Sequence, residues 1–285
     1  MRCFASFNAP FGVTVALVLS LWQSPSAAVE KTADSPYWVE PMRQVHSKFS
    51  GRKGTFAHFG DSITVTMAFW TPLAYEPKGM SAKMAQALKL VKSYMKPECW
   101  REWKGPEYGN TGMMTIRWAH ENVNEWLKKL NPEVVLIMFG SNDVGQMELQ
   151  EYEQKTREVV ERCLKNGSVV ILNTMPPKSG MLEKSRVFAE AVRKISLEKK
   201  APLIEYFGEI LRRRPDDWDG SLPKFRDTPG DEYQAPTLIC RDGVHPSNPM
   251  AFQDYSENSL RSNGYALRSY LTLLAYADVV LNVLR

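Results

Sequence analysis

Phe56-Ala57-His58-Phe59-Gly60-Asp61-Ser62-Ile63-Thr64 is the stretch on which the reading of this chain turns. An apolar, strand-like run drives into Gly60-Asp61-Ser62, and helix-compatible residues resume beyond it. Glycine at a strand end permits backbone geometry that a residue with a Cβ resists. A serine just after that glycine stands at the carboxyl edge of a sheet, where open α/β folds place their ligands. Ser62 is therefore the first candidate nucleophile, and an ordinary turn is the competing reading of the tripeptide.

Outward from this stretch the chain alternates strands with helices. Residues 55–59 read as the first strand. Residues 134–139 and 169–172 are continuous apolar runs, the pattern of parallel strands buried on both faces, and residues 202–206 read as a last strand. Between them, Ser81 caps a helix that runs to about residue 95, with Met84, Leu88, Val91 and Met95 on one face. Residues 115–130 are helical and end at Asn131-Pro132. Residues 148–165 form an amphipathic helix stopped by Asn166-Gly167, and residues 182–199 form another. This order predicts an α/β fold with three α/β/α layers and a central parallel sheet. Residues 29–50 read as a polar surface lead-in, and a short strand is expected near Tyr108. Residues 263–285 are helical and strongly apolar, but Arg268 and Asp278 interrupt them, so a docked core helix is expected and no stable membrane span. Arg212-Arg213-Arg214 reads as a helix C-terminus.

The chain length of 285 residues, with 44% hydrophobic and 24% charged residues, suits one globular domain. A net charge of +4 without a massed basic face gives no reason to expect a nucleic-acid partner. Arg2, the apolar run over residues 11–22 and the small residues Ser26 and Ala28 have the layout of a signal peptide over residues 1–28. The mature domain would then cover residues 29–285 and be exported to a periplasmic or extracellular space. Cys3 would leave with the signal. Of the remaining thiols, Cys163 falls in a helical pattern and reads as core. Cys99 and Cys240 lie in loop-like stretches, where a disulfide between them and no disulfide are both open readings. Four histidines without paired spacing give no metal site, and no cofactor is expected. Residues 215–236 hold four prolines and two glycines, and a loop of that length reads as a lid, a binding loop or a disordered insertion.

Three further features fall at sheet-edge positions. Gly140-Ser141-Asn142-Asp143 follows a buried strand directly, Asn110-Thr111-Gly112 lies in the loop before it, and Asp242-Gly243-Val244-His245 supplies an acid and an imidazole three residues apart. Each alone has a bland reading as a cap, a turn glycine or a packed histidine. Together they hold the parts of acyl transfer. These are a nucleophile, the base that takes its proton, a carboxylate that orients the base, and donors for an oxyanion. Asp61 and Asp143 read as structural.

The blocks Gly60-Asp61-Ser62, Gly140-Ser141-Asn142-Asp143 and Asp242-Gly243-Val244-His245 resemble, in order and spread, those of the SGNH (GDSL-type) hydrolase family. The resemblance covers the chain from about Phe56 onward. It implies a flavodoxin-like three-layer fold with Ser62 as nucleophile, His245 as base and Asp242 as its orienting partner. It also implies oxyanion donors from the Ser62 backbone, a glycine of the second block and Asn142. The second block departs from the family, which commonly has Asn-x-Gly-x-x-Gly. Here Asn110-Thr111-Gly112 is followed by Met113-Met114-Thr115, and the N–H of Gly112 is preferred over that of Thr115. The expected activity is that of an exported serine esterase acting on a small acyl ester or an acylated glycan. Trp70, Trp100 and Trp103, in loops near the site, are candidate sugar platforms. A lipase or lysophospholipase on the same fold is the nearest alternative, and a non-catalytic glycan-binding protein is the alternative of another class.

Overall fold

The computed structural model describes residues 35–249 and 253–285, so the signal-peptide reading of residues 1–28 lies outside the described residues. Four strands of five residues or fewer build one parallel sheet, mostly apolar because its faces are covered, with His58 and Asn173 as buried polar members. The elements in chain order are α1 (Val39–His46), β1 (Phe56–Gly60), α2 (Ser62–Val65), α3 (Ala82–Tyr94), α4 (Ile116–Leu130), β2 (Val134–Met138), α5 (Leu149–Lys165), β3 (Val169–Asn173), α6 (Leu182–Lys199), β4 (Leu203–Ile204), α7 (Tyr206–Arg213) and α8 (Gly264–Val279). The strand order is β1-β2-β3-β4, with Phe56 opposite Val134 and Val134 opposite Val169.

Alternation of side chains along the strands divides the core into two layers. Phe56, Leu136, Met138 and Ile171 face helices α1, α3 and α8. Phe59, Val135, Ile137 and Leu172 face α4, α5 and α6. Burying each such side chain contributes on the order of 2 kcal/mol relative to leaving it in water. The helices follow their sequence signals closely. The Ser81 hydroxyl accepts the Met84 N–H at 3.2 Å at the start of α3, and Asn131 ends α4 in the left-handed conformation. The helical run Gly264–Leu284, α8 with the turn that continues it, is long and apolar enough to cross a membrane, yet its inner face is buried on the sheet, where Tyr276 stacks on Phe56 at 4.2 Å. The arginine run does close a helix, α7, and Arg213 there pairs with Glu209 and Glu257.

Several expectations are corrected. The lead-in is not wholly a surface segment, because α1 forms there and buries Val39 and Met42. No strand forms near Tyr108. Pro106 starts a single 3-10 turn that ends at the left-handed Gly109, and a residue run so punctuated cannot extend. The loop nevertheless serves the sheet edge. The Trp103 carbonyl accepts the His58 N–H at 2.8 Å, the Tyr108 hydroxyl donates to the His58 carbonyl, and Asn110 Nδ2 donates to the Gly60 carbonyl at 2.5 Å. These bonds occupy the groups that an edge strand leaves open. In a flavodoxin-like order a second strand would lie outside β1, and here this irregular loop takes that place. Cys99, Cys163 and Cys240 are all buried free thiols, so Cys99 and Cys240 are not joined. Cys99 instead lies against the Phe56 N–H and Cys240 against Asp242. Residues 215–236 are not structureless: 3-10 turns form at Pro223–Phe225 and Glu232–Gln234, and Trp218 and Phe225 are buried.

Candidate active site

Ser62 opens α2 directly beyond β1. Gly60 is required there for closeness rather than for its φ, since a Cβ would lie 2.6 Å from the Met138 carbonyl and 2.1 Å from Thr64 Oγ1. Asp61 caps the short helix, its Oδ1 accepting the Ile63 N–H at 3.1 Å. Its carboxyl is fully buried, and burial raises its pKa to about 6 against the opposing pull of the Arg268 guanidinium. Arg268 reaches in from α8, fully buried, and donates to the Ile63 carbonyl at 2.7 Å and to Thr64 Oγ1 at 3.0 Å. It also lies 3.8 Å from the centre of the Phe69 ring. Beside it Lys104 donates to the carbonyls of Thr66 and Phe69, so two basic side chains from distant segments hold the backbone around the serine. Burial lowers the Lys104 pKa to about 7. His58 lies beneath this cluster, held well below the ordinary histidine range by burial and then by Lys104 and Arg268.

The loop after β4 and α7 brings the second half of the site to the same edge. Ser62 Oγ lies 2.8 Å from His245 Nε2, and His245 Nδ1 lies 2.5 Å from Asp242 Oδ2. The other carboxylate oxygen of Asp242 accepts the Val244 N–H at 2.7 Å, the His245 N–H at 2.9 Å and the Cys240 thiol at 3.0 Å. Burial works against the charge of Asp242, but these bonds, led by that to His245, outweigh it and hold the carboxyl well below the usual range. The same hydrogen bond raises the pKa of His245 above the ordinary histidine value, partly offset by burial. The imidazole is thereby oriented with Nε2 toward the serine.

The residues read as oxyanion donors lie together beside Ser62, but each is already engaged. The Ser62 N–H donates to the Gly112 carbonyl at 2.7 Å. Asn142 Nδ2 donates to the Met114 carbonyl at 2.9 Å and to the Gly112 carbonyl at 3.4 Å. The Gly112 N–H donates to Asn110 Oδ1 at 2.8 Å. Asp143 is linked to the second block as well, since its Oδ1 accepts the Ile116 N–H at 2.7 Å at the start of α4. Burial raises its pKa to about 7, the bond to Ile116 opposing.

Ser62 and His245 open onto a cavity of about 420 Å³ whose polar wall is formed by Asp231, Tyr233, Gln234 and Asn248. The first three belong to the proline-rich loop, which therefore walls the site. Nothing in their local sequence singled them out. A neighbouring cavity of about 410 Å³ shares Thr66, Ala68 and Asn248 with the first and is otherwise lined by Met67, Thr71, Pro72 and Tyr75. The tryptophans do not serve as platforms. Trp70 is fully buried and stacks on buried Trp100 at 5.0 Å, and half-buried Trp103 packs against both core layers. Loop position alone does not expose an indole whose apolar area the core can take. The exposed aromatic beside the site is Tyr75.

The GDSL-like Lipase/Acylhydrolase family model matches residues 58–250. No curated protein sequence matches the chain. Among solved structures the chain is similar to a catalytic mutant of an acetylxylan esterase from Geobacillus stearothermophilus, at 18% identity and a TM-score of 0.48, over 82% of this chain and 96% of that one. It is also similar to a psychrotrophic esterase from Pseudoalteromonas sp., at 14% identity and a TM-score of 0.49, over 80% and 100% of the two chains. A lipase/acylhydrolase from Enterococcus faecalis is similar at 15% identity and a TM-score of 0.46, over 78% and 94%. The family match spans well over half of the sequence and runs from β1 through the loop of His245, so this chain belongs to the GDSL-like lipase/acylhydrolase family and is an ester-hydrolysing enzyme.

Proposed function

We propose that the chain is an exported serine esterase that works through an acyl-enzyme on Ser62, with a small acyl group on a polar, glycan-like alcohol as substrate. The observation that carries the mechanism is the unbroken relay from Ser62 Oγ to His245 Nε2 at 2.8 Å and from His245 Nδ1 to Asp242 Oδ2 at 2.5 Å. As Ser62 Oγ bonds to the ester carbonyl carbon, its proton passes to His245 Nε2. Asp242 stays ionised and steadies the imidazolium. The carbonyl oxygen becomes an oxyanion beside Ser62 and Asn142. Collapse breaks the bond to the alcohol oxygen, which takes the proton from His245. Water then attacks the acyl group, gives its proton to His245, and the acid leaves as that proton returns to Ser62.

The substrate preference rests on the wall of the cavity. Asp231, Tyr233, Gln234 and Asn248 offer hydrogen bonds that hydroxyls of a sugar would use and an acyl chain would not. The second cavity, with Met67, Ala68 and Pro72, favours the alternative of a longer acyl chain. A fluorophosphonate should label the wild type and not Ser62→Ala, and absence of labelling in both would remove the mechanism. Hydrolysis of p-nitrophenyl esters should be fastest for acetate, whereas rates rising with chain length would favour the lipase reading. Export rests on the layout of residues 1–28. Intact mass of the protein recovered outside the cytoplasm should place its first residue at Val29, and a retained Met1 would refute cleavage.

A further inference from the structure

The most unusual feature of the site is the Gly112 carbonyl. It accepts both the Ser62 N–H and a hydrogen of Asn142 Nδ2, at 2.7 and 3.4 Å. Two donors read as stabilising the transition-state oxyanion thus converge on one backbone oxygen of the enzyme itself. That oxygen stands where the substrate's oxygen would have to sit. The N–H of Gly112 cannot supply a third donor as it stands, because it is held by Asn110.

One local motion resolves all of this. We propose that the Gly112–Met113 peptide is a two-position element of the catalytic cycle. At rest its carbonyl fills the oxyanion site, and with substrate bound the peptide turns over and presents the Met113 N–H as the third oxyanion donor. The inference rests on the serine-esterase reading above. Half a turn of this peptide withdraws the carbonyl and frees the Ser62 N–H. It also frees one hydrogen of Asn142, whose other stays on the Met114 carbonyl. The Met113 N–H has no hydrogen-bond partner among the described residues, and Met113 as a whole is 84% exposed, so the departing carbonyl can turn toward water.

Backbone sterics then say which residues set the balance. Gly112 has φ +92, which glycine tolerates, and the flip changes its ψ without needing a side chain to clear Ser62. A Cβ at 112 would lie 3.3 Å from both Cα and Cβ of Ser62. Met113 is not among the residues of positive φ, and the flip carries it into the left-handed range, which its Cβ resists. The resting, self-filled state is therefore favoured by the Cβ of residue 113 and independent of the rest of that side chain.

Three variants and one adduct test this. Met113→Ala keeps the Cβ and the N–H and is the reference against which the other two variants are read. Met113→Gly removes the resistance and should raise kcat/KM about fivefold to tenfold, the size expected from a left-handed Cβ penalty. Met113→Pro has no N–H and a φ fixed at a negative value, outside the left-handed range that the flip requires, and should lose on the order of a hundredfold or more in kcat. A Met113→Gly enzyme no faster than Met113→Ala, or a folded Met113→Pro enzyme as fast, would overturn the proposal. In a crystal of the wild type with a phosphonate bound to Ser62, the phosphonyl oxygen should accept from the Met113 N–H. An adduct in which the Gly112 carbonyl still holds the Ser62 N–H overturns the flip and leaves the esterase reading intact. Failure to form the adduct at all removes both.

Discussion

Asp242 performs two tasks within one turn. One oxygen shapes the loop by accepting the N–H groups of Val244 and His245, and the other faces the imidazole. In the proposed mechanism His245 must be neutral to take a proton, so activity should rise with pH as it deprotonates, and its raised pKa should put this acid limb above the ordinary histidine value. Asp242→Asn should move the limb to lower pH and cut kcat by on the order of a thousandfold or more, read from kcat/KM against pH on a soluble ester. A limb that did not move would assign it to another group. The stability contribution has the opposite sense. With a raised His245 pKa and a lowered Asp242 pKa, the pair stabilises fully between the unfolded carboxylate and unfolded histidine values, and this is lost as pH climbs through the folded histidine pKa or falls through the folded carboxylate pKa. On that mechanism the pH of highest rate should lie above the pH at which this pair stabilises most.

At the scale of elements, the turn after β2 and the start of α4 form one unit. Thr115 makes no side-chain cap on α4, and the Ile116 N–H is satisfied from outside by Asp143, the residue after Asn142. A carboxyl at that position meets both an open N–H and the positive end of the helix. Asp143→Ala should cost about 1–2 kcal/mol in urea unfolding, the size of a lost cap. It should also lower kcat, since the Gly112 to Thr115 loop is held between Asn142 and this cap. Ser81→Ala removes a cap of similar size on α3 and serves as the comparison. It should destabilise by about 1 kcal/mol and leave kcat and KM unchanged.

Across the whole molecule, α8 is the element that joins the last part of the chain to the first. Its apolar face closes one side of the sheet, and from that face Arg268 reaches the turn that carries Ser62. The guanidinium is fully buried but remains charged, since burial lowers its pKa only to about 10. It is compensated by the Ile63 carbonyl, Thr64, the Phe69 ring and the nearby charge of Asp61. Arg268→Met fills similar volume but leaves Asp61 without its counter-charge. It should cost on the order of 3 kcal/mol in urea unfolding and slow phosphonate labelling of Ser62. Wild-type stability in this variant would show that the arginine is only a space-filling group.

What the sequence by itself determined is what depends on near neighbours. The apolar runs of β2 and β3 require burial on both faces, and the periodicity of Met84, Leu88, Val91 and Met95 gives α3 its inner face. Ser62, Asn142, Asp242 and His245, each in a short block and in this order, together announce acyl-transfer chemistry. Tertiary structure alone decided the rest. The loop of Trp103 and Tyr108 covers the edge of β1 without being a strand, Trp70 and Trp100 pack inward, and Arg268 lies beneath the nucleophile. The clearest case is the second block, where the choice between the N–H groups of Gly112 and Thr115 was open. The Gly112 carbonyl is held by the Ser62 N–H and by Asn142, 50 and 30 residues away, so which N–H of this loop is free is set by contacts distant in sequence as well as by the residue that follows. The residue types around Gly112 do not by themselves place those two distant partners.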